Sequence, residues 1–164
     1  MKPLSCVKPT PRILDVLRCI LHHQYGDAGA RAFEDLLRRD LRVCIASTGR
    51  IRRVVVDGET AFTLRASDYV VIPHPALARL IHRYAPFPRY RIVVVSELAN
   101  DVAEGYTVFA RHVIQCDEYV RRGDEVLVVD ESDNLLASAR ALLDCEAMIT
   151  SLRGAAASIR FRCR

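Results

Sequence analysis

Long apolar runs are missing from this 164-residue sequence. Stretches such as Val54-Val55-Val56 and Ile92 to Val95 are strand-sized and far short of the ~18 residues that a membrane-spanning helix needs. The opening residues Met1-Lys2-Pro3-Leu4-Ser5-Cys6 contain neither an apolar core nor a small-residue cleavage site of the kind a secretory leader carries, so the expectation is a cytoplasmic protein. Closely spaced cysteine pairs are also absent. The six cysteines stand at 6, 19, 44, 116, 145 and 163, no two nearer than thirteen residues, which argues against a structural zinc site and leaves buried free thiols favoured over disulfides. The five histidines form no H-x-x-x-H or H-x-E pattern, so no metal ligand set is expected.

Phosphate-binding loops and catalytic constellations are lacking too. There is no G-x-x-x-x-G-K-[ST], G-x-G-x-x-G or G-x-S-x-G. The acidic pairs Asp124-Glu125 and Asp130-Glu131 sit on adjacent residues that point to opposite faces of a strand, so neither pair shares one proton site. The sequence is therefore expected to have no catalytic residues and no cofactor. Lysine is nearly absent as well: only Lys2 and Lys8 are found among 24 cations, in a chain of formal charge +4. Arginine pairs bidentately with phosphate and stacks on bases, which suits nucleic-acid work, although genomic base bias or thermal adaptation produces the same excess. The charge is uneven, net +6 over residues 1–56 and −3 over residues 91–164.

The apolar pattern opens on helices. Thr10-Pro11 forms an N-cap with proline at the first helical position, and Ile13, Leu14, Leu17, Ile20 and Leu21 follow at helical spacing. Gly26 ends this helix and Asp27 caps a second through Phe33, Leu36 and Leu37. Strands follow at 43–45, 51–56 and 60–64, the last two joined by the Asp57-Gly58 hairpin signal, and then at 69–72. Pro75 starts a helix with Leu77, Leu80, Ile81 and Tyr84 on one face. Two prolines in Ala85-Pro86-Phe87-Pro88-Arg89 mark a boundary, giving domains of residues 1–88 and 89–164.

The second half reads as a strand over Arg91 to Val95, a short helix from Ser96 to Gly105, a strand from Thr107 to Gln115, the doubly apolar strand Glu125 to Val129, a strand from Leu135 to Leu143, a helix capped by Asp144, and a closing strand. In that last strand Arg160, Arg162 and Arg164 share one face at ~6.6 Å intervals, a comb of cations suited to phosphate or simply to solvent. In the first half Arg50, Arg52 and Arg53 surround a glycine turn, where either RNA or the neighbouring Asp57, Glu59 and Asp68 would balance their charge.

Gly105-Tyr106-Thr107-Val108-Phe109-Ala110-Arg111-His112-Val113, then Arg121-Arg122-Gly123-Asp124-Glu125-Val126-Leu127-Val128, then Leu135-Leu136-Ala137, occur in the order and spacing of a PUA domain, which residues 91–164 resemble. Tyr25-Gly26-Asp27-Ala28-Gly29-Ala30, Ser47-Thr48-Gly49-Arg50-Ile51-Arg52 and Thr63-Leu64-Arg65 resemble the domain that precedes PUA in archaeal tRNA-guanine transglycosylase and its free-standing relatives. The chain departs from those patterns at Gln24-Tyr25-Gly26, Asp68-Tyr69 and Ala139.

The resemblance implies an α+β protein, an N-terminal α/β pre-PUA domain followed by a PUA β-pseudobarrel with two short helices. It implies a non-catalytic archaeal RNA-binding module, most directly one for the acceptor stem and 3′ end of tRNA, with a separately encoded tRNA-modifying enzyme as a partner. A ribosome- or translation-associated role and a protein-interaction scaffold are the alternatives. The RNA-binding residues it points to are Gly105, Tyr106, Thr107, Arg111, Arg160 and Arg162 in the second domain and Arg50 and Arg52 in the first. Gly105 lets a sugar-phosphate backbone approach the N–H groups of Tyr106 and Thr107 and also suits a plain helix cap. Arg111 would meet phosphate and Tyr106 a base or ribose, with Phe109 more at home in the core.

Overall fold

A computed structural model describes residues 5–163 and divides into two compact units between Tyr84 and Ala85. In the first unit, helix α1 (Pro11–Leu37) begins as its sequence dictates, with the Thr10 hydroxyl accepting the Ile13 N–H at 3.3 Å. It breaks at Gly26, whose φ of 55° only glycine adopts cheaply, so the two predicted helices meet at a kink. The bend brings Gly29 against the preceding segment so closely that a Cβ there would sit 2.2 Å from the Leu21 carbonyl oxygen.

The strands β1 (Ser5–Val7), β2 (Leu41–Ile45), β3 (Ile51–Val56), β4 (Glu59–Leu64) and β5 (Val71–Pro73) form one antiparallel sheet in that order. Asp57 and Gly58 both take positive φ, the type I′ geometry whose twist matches the β3–β4 hairpin. Alternation along these strands sends Val43, Val54, Val56, Phe62 and Leu64 into a core with Leu17, Leu21 and Phe33 of α1 and Leu77 and Ile81 of α2 (Pro75–Tyr84). β1 was not expected. It has three residues, and its partner strand lies some forty residues along the chain.

The second unit contains β6 (Arg91–Val94), a 3-10 turn (Ser96–Leu98), α3 (Ala99–Ala103), β7 (Val108–Phe109), a 3-10 turn (Ala110–His112), β8 (Val113–Cys116), β9 (Glu125–Val129), β10 (Leu135–Ala141), α4 (Cys145–Thr150) and β11 (Ala155–Arg162). The sheet order is β7-β11-β10-β9-β6-β8, with only β6–β9 parallel. β9 is buried along its whole length, as its doubly apolar sequence requires, and lies inside the sheet. The two end strands, β7 and β8, are consecutive in the chain. Four residue steps from Phe109 to Val113 reach at most about 14 Å, whereas the edges of a flat six-stranded sheet stand about 24 Å apart. The sheet must therefore curl until its edges almost meet, which gives the pseudobarrel. Ile92, Val94, Val126, Val128, Leu136 and Met148 fill it.

Three expectations are corrected. The strand predicted from Thr107 to Gln115 is cut by the 3-10 turn at Ala110–His112, because the chain must cross from one edge of the barrel to the other there. Leu142 and Leu143 fall outside β10. Four of the six cysteines are paired rather than free: Cys6–Cys44 joins directly opposed residues of β1 and β2, and Cys116–Cys145 ties the end of β8 to the start of α4. Cys19 and Cys163 remain thiols. Arg91 is an unexpected core residue, only 2% exposed, with its guanidinium donating to Asp133 at 2.8 Å and to the Ala85 and Arg89 carbonyls. No helix among the described residues is long and apolar enough to cross a membrane.

Candidate nucleic-acid interface

Helix α3 ends in a complete Schellman cap. Gly105, at φ 96°, donates its N–H to Val102 O, and Tyr106 donates to Asp101 O at 3.1 Å. The Tyr106 N–H is thus consumed inside the cap, which removes one of the two main-chain donors expected to meet a phosphate. The Tyr106 ring is 67% exposed, and Thr107 is exposed beside it.

From this loop β7 runs into the 3-10 turn, and together they wall a cleft of about 280 Å³ whose floor is Val94, Leu98 and Val102. Asp101, Tyr106, Thr107, Phe109, Arg111 and His112 line it. Phe109, assigned to the core by sequence reasoning, is 44% exposed here, because β7 stops at that residue and the turn no longer alternates inside with outside. The same turn breaks the alternation by which a strand would send Arg111 and His112 to opposite faces, and both line the cleft. Arg111 Nε donates to His112 Nε2 at 2.9 Å, its guanidinium lies 5.8 Å from the Phe109 ring centre, and Phe109 meets His112 edge to face. The result is an apolar slot with an aromatic wall and an exposed guanidinium at its rim. Such a slot takes a flat heteroaromatic group by stacking and an attached anion by charge.

Arg162 reaches the same loop from β11. Its Nε would lie 3.6 Å from a Cβ on Gly105, and its Nη1 is 3.5 Å from Glu104, a long contact between two well-exposed side chains. A surface pair of this kind is worth little and leaves the guanidinium available. Arg160 differs. It extends over β10 to Glu125 at the start of β9 and holds that buried carboxylate at 2.9 and 3.3 Å. Arg164, the third tooth of the comb, lies outside the described residues.

In the first unit Arg50 donates to the Ala66 carbonyl, and neither Arg50, Arg52 nor Arg53 makes an ion pair among the described residues. Two of the carboxylates expected to balance them are held elsewhere. Asp57 pairs with Arg39, whose hydrogen bond keeps its carboxyl below the usual range, and Asp68 pairs with Arg65, which pulls its pKa to about 2. Glu59 is exposed on the hairpin. Among the described residues no group of three histidine, cysteine or acidic side chains is placed to hold a metal ion.

Residues 15–88 match the family model described as the patch-forming domain C2 of tRNA-guanine transglycosylase, and residues 90–162 match that of the PUA domain. Among curated proteins the chain is 37% identical over 157 residues to a tRNA-guanine(15) transglycosylase of Methanococcus vannielii, covering 95% of this chain and 23% of that protein. It is 40% identical over 130 residues to the enzyme of the same description from Methanocaldococcus jannaschii, covering 78% and 19%. The chain thus spans about a quarter or less of the length of these relatives. Among solved structures, a hypothetical protein from Pyrococcus horikoshii superposes with a TM-score of 0.70 at 19% identity, covering 98% of this chain and 95% of that one. A conserved PUA domain protein from Thermoplasma acidophilum gives 0.64 at 21% identity, covering 96% and 93%.

Proposed function

The chain belongs to the proteins that join a patch-forming C2 domain to a PUA domain, and from that membership we propose that it is a non-catalytic RNA-binding module serving tRNA modification. The RNA is tRNA, held by its acceptor stem and 3′ end, and the chemistry is supplied by a tRNA-modifying catalytic domain outside residues 1–164. The observation that carries this reading is the convergence of Tyr106, Phe109 and Arg111 on one cleft with an apolar floor, next to the Gly105 loop that Arg162 reaches. An unpaired terminal base stacks in the slot against the aromatic wall, and Arg111 and Arg162 meet the phosphates that flank it. Base stacking on an aromatic side chain contributes about 1–3 kcal/mol, and an unpaired 3′ end exposes the base faces that a duplex hides. Arg50 and Arg52 of the first domain, residues 1–88, add backbone contacts.

The test is binding of the purified chain to tRNA transcripts with and without the terminal CCA across a salt series. Four arginine–phosphate contacts give a slope of log K against log[salt] of about −3 to −4, at ~0.7–0.9 per contact. Removal of the CCA weakens binding. A salt-insensitive or undetectable affinity would sink the RNA reading, and equal affinity with and without CCA would sink the 3′-end assignment.

A further inference from the structure

One group lining the cleft has the wrong charge for a groove that meets phosphate. Asp101 lies in the first turn of α3 and lines the slot together with Leu98 and Val102. These three residues are spaced i, i+3, i+4, which puts their side chains on one face of the helical segment, so the carboxylate stands beside the apolar floor. Asp101 is exposed, and among the described residues its carboxylate makes no hydrogen bond or ion pair: the nearby cations are engaged elsewhere, Arg162 with Glu104 and Arg111 Nε with His112. A negative charge here repels the RNA backbone that Arg111 and Arg162 attract. A carboxylate accepts hydrogen bonds and donates none. What it calls for is a hydrogen-bond donor on the group that enters the slot.

We infer that Asp101 selects the base: it accepts a hydrogen bond from the exocyclic amino group of the unpaired nucleobase stacked in the slot, and so admits an amino-bearing base and rejects uracil. Adenine N6, cytosine N4 and guanine N2 are amino donors. Uracil has no such group, and its one N–H lies between two carbonyl oxygens that a carboxylate repels. The floor of Val94, Leu98 and Val102 offers the base edge no hydrogen bond, and Asp101 is the one acidic side chain in the lining. Every base of a CCA end carries the amine, whereas a phosphate presents only acceptors, so the same carboxylate keeps the backbone out at the Arg111 rim. The inference rests on the RNA-binding reading of the cleft and adds to it the chemical class of base that the cleft takes.

Binding of the full chain is measured to tRNA transcripts that end in CCA, that lack those three nucleotides, or that end in UUU, for the parent and for Asp101→Asn. The parent should prefer the CCA end to the UUU end by about 10-fold or more, the worth of a hydrogen bond to a charged group. An amide both donates and accepts. Asp101→Asn should therefore weaken binding of the CCA end several-fold and strengthen that of the UUU end, bringing the two within about 3-fold of each other. The gain on the uridine end is the decisive readout, because a carboxylate that merely supported α3 has no means of producing it. Melting curves check that the variant folds, and Asp101→Ala, which removes acceptor and repulsion together, replaces it if it does not. Should the parent lose affinity on removal of CCA yet bind the CCA and UUU ends alike, or should the variant keep the full preference, the assignment of Asp101 is refuted and the RNA reading stands. Affinity unchanged by removal of CCA overturns the 3′-end reading and this inference with it.

Discussion

Arg160 and Arg162 are two residues apart on one face of one strand, yet the structure gives them opposite consequences on removal. Arg160 pairs with a Glu125 side chain that is fully buried, while Arg160 itself is about one-third exposed. Breaking a buried ion pair by deleting one partner costs about 3–5 kcal/mol, and water reaching the arginine side brings the figure for Arg160→Ala to about 2–3 kcal/mol. For a unit of this size each kcal/mol moves the melting temperature by about 4–8 °C, so Arg160→Ala should melt about 10–20 °C below the parent. The double variant Arg160→Met with Glu125→Gln removes both charges and should recover about half or more of that loss, the coupling expected of residues in contact. In tRNA titrations Arg160→Ala should keep the parental salt slope at a temperature where it is folded. Arg162→Ala should melt within about 0.5 kcal/mol of the parent and lower the slope by about 0.7–0.9. A parental melting temperature for Arg160→Ala together with a slope reduced by one contact would refute this reasoning and make Arg160 the RNA ligand.

Tyr106→Ala should weaken tRNA binding by about 1–3 kcal/mol, roughly 5- to 150-fold, without changing the salt slope, since the ring stacks and carries no charge; a changed slope with unchanged affinity at low salt would contradict that role. Cys145→Ser opens the loop of 29 residues that Cys116–Cys145 closes, and chain entropy sets the loss at about 3–4 kcal/mol. Melting with and without a dithiol reductant checks this, and identical curves for the parent would show that the bridge does not form. The Asp68 carboxyl, held at about 2 by its hydrogen bonds with Arg65, lies below its unfolded value, so its contribution is present above about pH 4 and fades as pH falls from there toward 2. Asp68→Asn should flatten the acid side of a stability–pH curve in that window, and a carboxyl that titrates near 4 by NMR would exclude the effect.

Features encoded by neighbours in sequence were legible before the structure. The Thr10 cap, the break at Gly26, the Asp57-Gly58 hairpin, the amphipathic α2 and the buried β9 each depend on residues a few positions apart. What escaped depends on register and closure. The strand β1 and the Cys6–Cys44 bridge require knowing which residue opposes which across some forty positions. The 3-10 turn at 110–112 exists because the barrel must close there, and strand alternation carries no sign of it; Phe109 and His112 therefore joined the cleft unannounced. The Arg160–Glu125 pair spans 35 residues and two strand pairings, so a comb that looks uniform in sequence divides into one arginine tied to a buried carboxylate and one left to solvent. Burial of Arg91 was hidden for the same reason, its Asp133 partner lying 42 residues away.

The short crossing from β7 to β8 does more than close the sheet. The candidate cleft is walled by that crossing and by β7 on one side and reaches Val94 of β6 and Leu98 and Val102 on the other, so the chain that fastens the barrel is also the chain that a ligand in the cleft would touch. The amides of β7 and β8, at the two free borders of the sheet, should exchange with solvent more slowly in the bound state than those of β9, already sealed in the interior, have room to do.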